Sequence, residues 1–435
     1  MTDVRPFRGV RFDPEVVGDW GAVLGPPYDI ITRAQAAALK RRHPNQIVHI
    51  ESAGNEAEAV QAAALFAEWR GSGVLLQDPK PAYYVAEHTF EHEGRTRTRT
   101  TLYGAVRLTP WDEGEVLPHE WTMPGPKEER TRLRRTVGAD VSPLMSLVPD
   151  GDGRIMSILQ VAVQRPADAS GTDYNGDQHT LWLIDAADEV EALRQALAAN
   201  TVYMADGHHR YEAALEHRDA WAAGAGGDRS GDDPENFVLM GLVMANDEGL
   251  ELGGTHRVVH VAPAEGAMER LSASFTVQDL GSRRTGLGAD YLLKAISAIR
   301  DDGPTIGALG LNGDRLHVLL SGVATREAMP ASAPLSWSGL DAALLQYVVL
   351  EPVFGIDAEA REAGEAVTYT HDADAAWQTV IDGNATVAFF LSAPGVDQIV
   401  AAADAGDRMP QKSTYFTPKL PTGLVLHAFD DGGDG

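Results

Sequence analysis

Asp206, Gly207, His208, His209 and Arg210 stand in a row near the middle of the chain. Residue types of this kind at one turn suit phosphate chemistry. The preceding Thr201-Val-Tyr-Met-Ala reads as a short strand, and helix-forming residues follow from 211 to 223. The row therefore falls at a strand-to-helix turn, where free backbone amides and the helix dipole favour an anion. Gly207 permits close approach of a phosphate, and Arg210 can grip two of its oxygens. His208 or His209 can move a proton near neutral pH. Asp206 can orient a histidine or hold Mg²⁺ through water. A capped helix with a structural histidine pair is the competing reading of the same five residues.

Other segments offer matching groups. Glu51 ends the strand-like run Gln46-Ile-Val-His-Ile and is a general-base candidate, with a solvated carboxylate as the competing reading. His119 and Glu120 form a possible acid/base or metal pair, without the helical histidine spacing of a zinc protease. Arg130 and Arg134 lie one helical turn apart and can share a phosphate or form a solvated basic face. His256 and Arg257 follow a Gly-Gly turn, where a structural role competes with ligand binding. Lys412, Ser413, Thr414 and Lys419 lie in a proline-bounded segment. Those hydroxyls and ammonium groups suit a phosphate or carboxylate, and an ordinary packed loop is the alternative.

The elements that must position these residues are mixed. Pro26-Pro27 forbids helix at 26–27, and Thr32 caps a helix through about Arg42. A second helix covers Glu56 to Arg70. Residues 82–90 and 95–108 read as a hairpin turning at Glu91 to Gly94. A helix runs from Lys127 to Val137, strands over 142–148 and 179–184, a polar loop at 168–178, and a helix from Ala186 to Ala199. Residues 236–245 read as a buried strand, and 252–260 as an extended unit. Beyond 265 the alternation resumes, with strands at 315–321, 386–391 and 423–428. Helices there fall at 265–273, 289–299, 339–350 and 395–404. The polar stretch 224–234 reads as a mobile loop, and the tail from Asp430 as frayed. The expected fold is mixed α/β, with domains over 1–160, 161–262 and 263–435.

Composition narrows the functions. The 435 residues carry a formal net charge of −27, which repels nucleic acid phosphates and makes nucleic acid a poor partner. There is no cysteine, so thiol catalysis, disulfides and Cys-zinc sites are excluded. No apolar run approaches the roughly 18 residues of a membrane span, and no signal region opens the chain. A cytoplasmic protein with a small-molecule substrate is the expectation. The P-loop, the dinucleotide-binding glycine fingerprint and the hydrolase nucleophile elbow are all missing from the sequence.

Several ordered segments carry a family resemblance. They are Pro26-Pro27-Tyr28-Asp29-Ile30-Ile31, Asn45 to Ile50, Pro118-His119-Glu120, Asp206 to Tyr211, Thr255-His256-Arg257, and Met409 to Phe416 with Pro418-Lys419. Together they resemble the bacterial and archaeal family called DUF1015, over nearly the whole chain. More distantly, the Asp206–Arg210 turn resembles the phosphate-binding box of the ParB and sulfiredoxin superfamily. That group includes free-serine kinases, which use ADP or ATP. The resemblance implies a ParB-like core with added αβ regions, nucleotide phosphates at the His/Arg turn, and an acidic residue activating serine, for which Glu51, Asp29 and Glu120 are the candidates. Serine or O-phosphoserine is the implied substrate, with Mg²⁺ and ADP or ATP as accompanying groups. Kinase and phosphatase directions both remain open. A nucleotide-binding regulator without turnover is the alternative. A metal-dependent hydrolase using His119, Glu120, His208 and His209 is a third reading.

Overall fold

The longest strand, Arg95–Arg107, opens where arginine and threonine alternate. In the computed structural model, Tyr83–His92 and Arg95–Arg107 pair antiparallel, with His92 opposite Arg95. Glu93 and Gly94 both take positive φ, 48° and 73°, the turn geometry whose twist suits a two-residue hairpin. The structure describes residues 2–122, 125–224, 231–283, 286–300 and 303–430. Part of the polar stretch 224–234 and the tail beyond Asp430 lie outside those residues.

The chain divides into two compact units. The first comprises Met1–Pro118, Thr122–Glu251 and Pro418–Gly435; the second comprises His119–Trp121 and Leu252–Thr417. The boundary expected at 160 has no counterpart, because one sheet runs across it. Leu144–Val148 pairs in parallel with Phe237–Met244.

The sheet of the first unit has nine strands. Its order is Val116–Leu117, Val202–Asp206, Leu144–Val148, Phe237–Met244, Arg95–Arg107, Tyr83–His92, Gln178–Ile184 and Ala169–Thr172, with Val4–Arg5 also on Arg95–Arg107. Phe237–Met244 is central and buried at every position, so it reads as an unbroken apolar run instead of an alternating one. Tyr83, Leu102, Val106, Met240, Leu242 and Tyr211 share its core. Thr32 caps Arg33–Arg42 in a full capping box with Gln35.

The second unit holds a six-stranded sheet in the order Thr276–Ser282, Arg315–Leu320, Thr305–Leu309, Val387–Phe390, His256–Val259 and Val367–Thr370. Every pairing in it is antiparallel.

Several expectations change. The run ending at Glu51 is a short helix, Val48–Glu51, not a strand. Gln46 enforces this: its side chain accepts from the Val48 amide at 2.6 Å and donates to the Leu24 carbonyl at 2.5 Å. The polar 168–178 stretch contains an edge strand, Ala169–Thr172. A helix the sequence reading omitted spans Arg154–Ala162, its first amides held by Asp150. The 339–350 helix is α over Asp341–Leu344 and π over Leu345–Leu350. Within 423–428 only His427–Ala428 is strand. The helix expected from 211 begins at His208. Among the described residues no helix is long and apolar enough to cross a membrane.

Candidate active site

The strand Val202–Asp206 stops where Gly207 takes φ +99°. A Cβ there would sit 3.1 Å from Arg210 Nη2 and 3.2 Å from Leu144 Cγ, so both backbone and space favour glycine. The Tyr211 amide donates to the Gly207 carbonyl at 2.9 Å and starts the helix His208–Gly224. Tyr211 pins this start: its hydroxyl donates to the Thr109 carbonyl at 2.8 Å and accepts from the Thr109 amide at 3.0 Å. Trp111 stacks on the Tyr211 ring at 4.2 Å.

The turn's charges are paired with each other. Asp206 bonds Lys419 through one oxygen and Arg210 Nη2, at 2.9 Å, through the other. Burial would raise the Asp206 pKa, but Lys419 and then Arg210 outweigh it and hold the carboxyl well below the usual range. Arg210 Nη1 also donates to the Pro143 carbonyl at 2.7 Å and to Ser142 Oγ at 3.3 Å. His208 is buried in the first helical turn, its ring 6.4 Å from that of Trp111, and His209 is half-buried beside it.

Arg210 leads to a cavity of about 40 Å³ that Glu51, Arg130, Arg134, Asp140 and Ser142 also line. Glu51 is 1% exposed, and its Oε1 has no hydrogen-bond partner. Arg130 Nη1 stands 3.7 Å from that oxygen. Arg130 itself is fixed: Nη1 donates to the Glu51 carbonyl at 3.0 Å, Nη2 to the Ala53 carbonyl at 3.1 Å, and Glu129 pairs with it. Its guanidinium lies 3.8 Å from the centre of the Tyr28 ring. Burial pushes the Glu51 pKa up and prevails over the opposing charges of Arg130 and Arg210 and the hydrogen bond with Ser142. Burial likewise pushes the Tyr28 hydroxyl up to about 12. Asp29, the rival carboxylate, is exposed.

Arg134 lines the same cavity but directs its donors inward. Nε meets Asp140 at 2.7 Å, Nη1 the Ala214 carbonyl at 3.2 Å, and Nη2 the Phe237 carbonyl at 2.7 Å. Asp140 also accepts from the Leu239 amide at 3.0 Å and lies 3.3 Å from His427 Nδ1. Burial would raise Asp140, but Arg134 and His427 hold it low. Arg134 therefore braces the cavity wall.

The remaining sequence candidates belong to the second unit. Glu120 accepts from the Ser413 and Thr414 amides at 2.8 and 3.1 Å, and from Thr414 Oγ1 at 3.3 Å. His119 Nε2 meets Thr414 Oγ1 at 2.9 Å. Arg257 donates to the Lys412 carbonyl at 3.1 Å, and burial lowers its pKa to about 10. Burial, then the charge of Arg257, lowers His256 to about 4. Lys412 is exposed, with φ +60°. His119, Glu120 and Arg257 thus hold the 409–416 loop, with Glu120 as an acceptor of amides, while His256 Nδ1 accepts from the Leu391 amide at 3.3 Å.

Within the first unit the structure brings together Glu51, Arg130, Arg134, Asp206, Gly207, Arg210 and Lys419. Sequence reasoning missed Ser142 and the stacking role of Tyr28. The signals were present in Asp140-Val-Ser142-Pro143 and in the Pro-Pro-Tyr turn. Among the described residues no three His, Asp or Glu side chains are grouped to hold a metal ion.

Fold and site together define a mixed αβ protein with a carboxylate–arginine cavity at a strand–helix turn. The chain belongs to the family described as "Protein of unknown function (DUF1015)", which matches over residues 4–343. No curated protein matches it. Among solved structures it is similar to a conserved hypothetical protein from Pyrococcus furiosus, at 13% identity and TM-score 0.35, covering 75% of this chain and 94% of that one. It is similar to a free serine kinase in complex with AMP, at 11% identity and TM-score 0.36, covering 74% and 92%. It is also similar to SbnI with a C-terminal truncation from Staphylococcus aureus, at 10% identity and TM-score 0.35, covering 76% and 90%.

Proposed function

We propose that the first unit carries out phosphoryl transfer on L-serine or O-phosphoserine, with Glu51 as general base. The observation that carries this reading is the buried Glu51 carboxylate, with one oxygen lacking a hydrogen-bond partner in a cavity it shares with Arg130 and Arg210. A carboxylate whose pKa is raised by burial is suited to take a proton near neutral pH. Phosphoryl transfer asks mainly for positioning and charge neutralisation, which Arg130 and Arg210 offer. Serine as substrate follows from the likeness of the Asp206–Arg210 turn to free-serine kinases. The size of the cavity, about 40 Å³, favours a small head group such as a hydroxymethyl.

In the kinase direction Glu51 takes the hydroxyl proton as the serine oxygen bonds phosphorus and the nucleotide's phosphoanhydride bond breaks. In the phosphatase direction Glu51 takes a proton from water, which attacks phosphorus as the serine oxygen leaves. His208 or His209 as a transient phosphoryl acceptor is the variant of that second route. Mg²⁺ held by the protein does not fit this arrangement, because both Asp206 oxygens are committed to cations. No step is assigned to it.

The test is ³¹P NMR with O-phospho-L-serine and Mg²⁺, with and without AMP or ADP. Phosphate release without nucleotide marks a phosphatase. Phosphoryl transfer onto AMP or ADP marks a kinase run in reverse. A spectrum unchanged in every tube refutes the proposal.

A further inference from the structure

In the second unit one buried charge lacks a counter-ion. Arg257 is 4% exposed. Its guanidinium donates to the Thr255 and Lys412 carbonyls, the latter at 3.1 Å, and the Tyr369 ring lies 5.3 Å away. Among the described residues no carboxylate stands within ion-pair distance of it. Carbonyls satisfy two of its five N–H donors but leave the charge in place, and a buried charge without a counter-ion is costly. Burial accordingly lowers its pKa, and Tyr369, Glu120 and Asp341 oppose this without prevailing. Both of those carboxylates are engaged elsewhere. Glu120 accepts the Ser413 and Thr414 amides. Asp341 pairs with Arg300 at 2.8 Å and accepts the Thr305 amide at 3.2 Å.

Arg257 lines a small cavity together with Thr255, Arg300, Asp341, Ser392 and Ser413. Its volume is about 10 Å³, the room that one guest of water size needs. Two arginines and one aspartate leave the cavity wall net positive, within a chain of net charge −27. The guanidinium is planar and weakly hydrated, so its free N–H edge suits a small anion better than water alone. The hydroxyls of Thr255 and Ser392 can complete the shell of such an anion. A phosphate ester exceeds the space.

We propose that this cavity binds one small monovalent anion, a halide or a carboxylate of formate size, as the counter-ion of Arg257. The anion takes the N–H donors that Arg257 does not direct at carbonyls. Arg257 also donates to the Lys412 carbonyl, so an anion that fixes Arg257 also fixes the 409–416 loop. Binding here does not depend on the Glu51 reading.

Thermal unfolding of the full chain at constant ionic strength tests the proposal, with bulky gluconate as the reference anion and chloride, formate or phosphate exchanged for it. Chloride or formate should raise Tm along a saturating curve. Phosphate should give only the linear rise of an excluded salt. Saturation by formate alone assigns the cavity to a carboxylate, and saturation by chloride assigns it to a halide. Arg257→Met keeps an unbranched stem and should weaken anion binding by at least about tenfold. If this variant loses its native circular dichroism, ³⁵Cl NMR of wild type replaces it: chloride broadened by the protein should sharpen when formate is added and not when phosphate is. Equal Tm in gluconate, chloride and formate overturns the proposal. So does a saturating response to phosphate, a response undiminished in folded Arg257→Met, or a ³⁵Cl line that formate leaves unchanged. The phosphoserine ³¹P experiment remains an independent test of the Glu51 cavity.

Discussion

Replacing Glu51 by glutamine separates a working base from a structural ion-pair partner. Both roles are compatible with a buried carboxylate near an arginine, but they predict opposite changes in stability. Burial raises the Glu51 pKa despite its arginine neighbours, so the ionised form costs stability at neutral pH, and glutamine removes that charge while keeping the shape. The contact of Glu51 with Arg130, at 3.7 Å, is beyond hydrogen-bond range. Arg130 keeps two carbonyl acceptors and Glu129 when the charge is removed. The usual penalty for breaking a buried pair, about 3–5 kcal/mol, therefore does not apply in full. Glu51→Gln should be more stable than wild type by about 1 kcal/mol at pH 7, a rise in Tm of about 2 °C. The sign also sets the pH dependence. The folded pKa of Glu51 lies above its unfolded value, so wild type loses stability as pH rises from the unfolded toward the folded pKa. The advantage of the glutamine variant should vanish below the ordinary glutamate range and grow above it. Urea unfolding at pH 4 and pH 7 measures this, and ³¹P turnover should fall at least about 100-fold. A variant destabilised by more than about 2 kcal/mol with turnover intact would refute the reasoning and make Glu51 a structural residue.

Three further outcomes follow from geometry already described. Gly207→Ala should cost about 1–2 kcal/mol, from its φ of +99° and the close approach of Arg210 and Leu144; thermal unfolding measures it, and an unchanged Tm contradicts the turn's strain. Lys419→Met should destabilise the protein by about 1–3 kcal/mol, softened by the surviving Arg210 partner. Because the folded pKa of Asp206 is depressed, its contribution is present above the ordinary aspartate range and lost as pH falls. Acid unfolding of Lys419→Met should begin at higher pH than in wild type. Glu120→Ala removes the acceptor of the Ser413 and Thr414 amides, so hydrogen exchange at those two amides should quicken, and exchange at the wild-type rate would mean the loop is held by other contacts.

Much of the scaffold was legible in the sequence. Thr32 with Gln35, the Glu93-Gly94 turn and the apolar run at 237–244 act through local geometry, which the order of residues encodes directly. Glu51 was misplaced on a strand because Ile47, Val48 and Ile50 favour extended structure, while the contact that decides the outcome, Gln46 with the Leu24 carbonyl, spans 22 residues. Trp111 and Tyr211, which fix where the 208–224 helix starts, stack on each other from distant parts of the sequence. The grouping of candidates was the least legible part. Lys412 and Lys419 stand seven residues apart in one proline-bounded segment, yet they belong to different units. Nothing local marks the change at 417.

That late change has a bearing on how the molecule is made. Asp206, Arg210 and Glu51 have all left the ribosome long before Lys419, while the intervening stretch Leu252–Thr417 belongs wholly to the second unit. Leu426 bridges Val10, Thr422 bridges Gly25, and His427–Ala428 pairs with Ala139–Asp140. Domains generally acquire structure in order of synthesis, but here the unit begun first is finished last. A nascent chain halted after residue 417 would carry every residue of the second unit, His119–Trp121 included, and a first unit whose Asp206 still waits for its lysine.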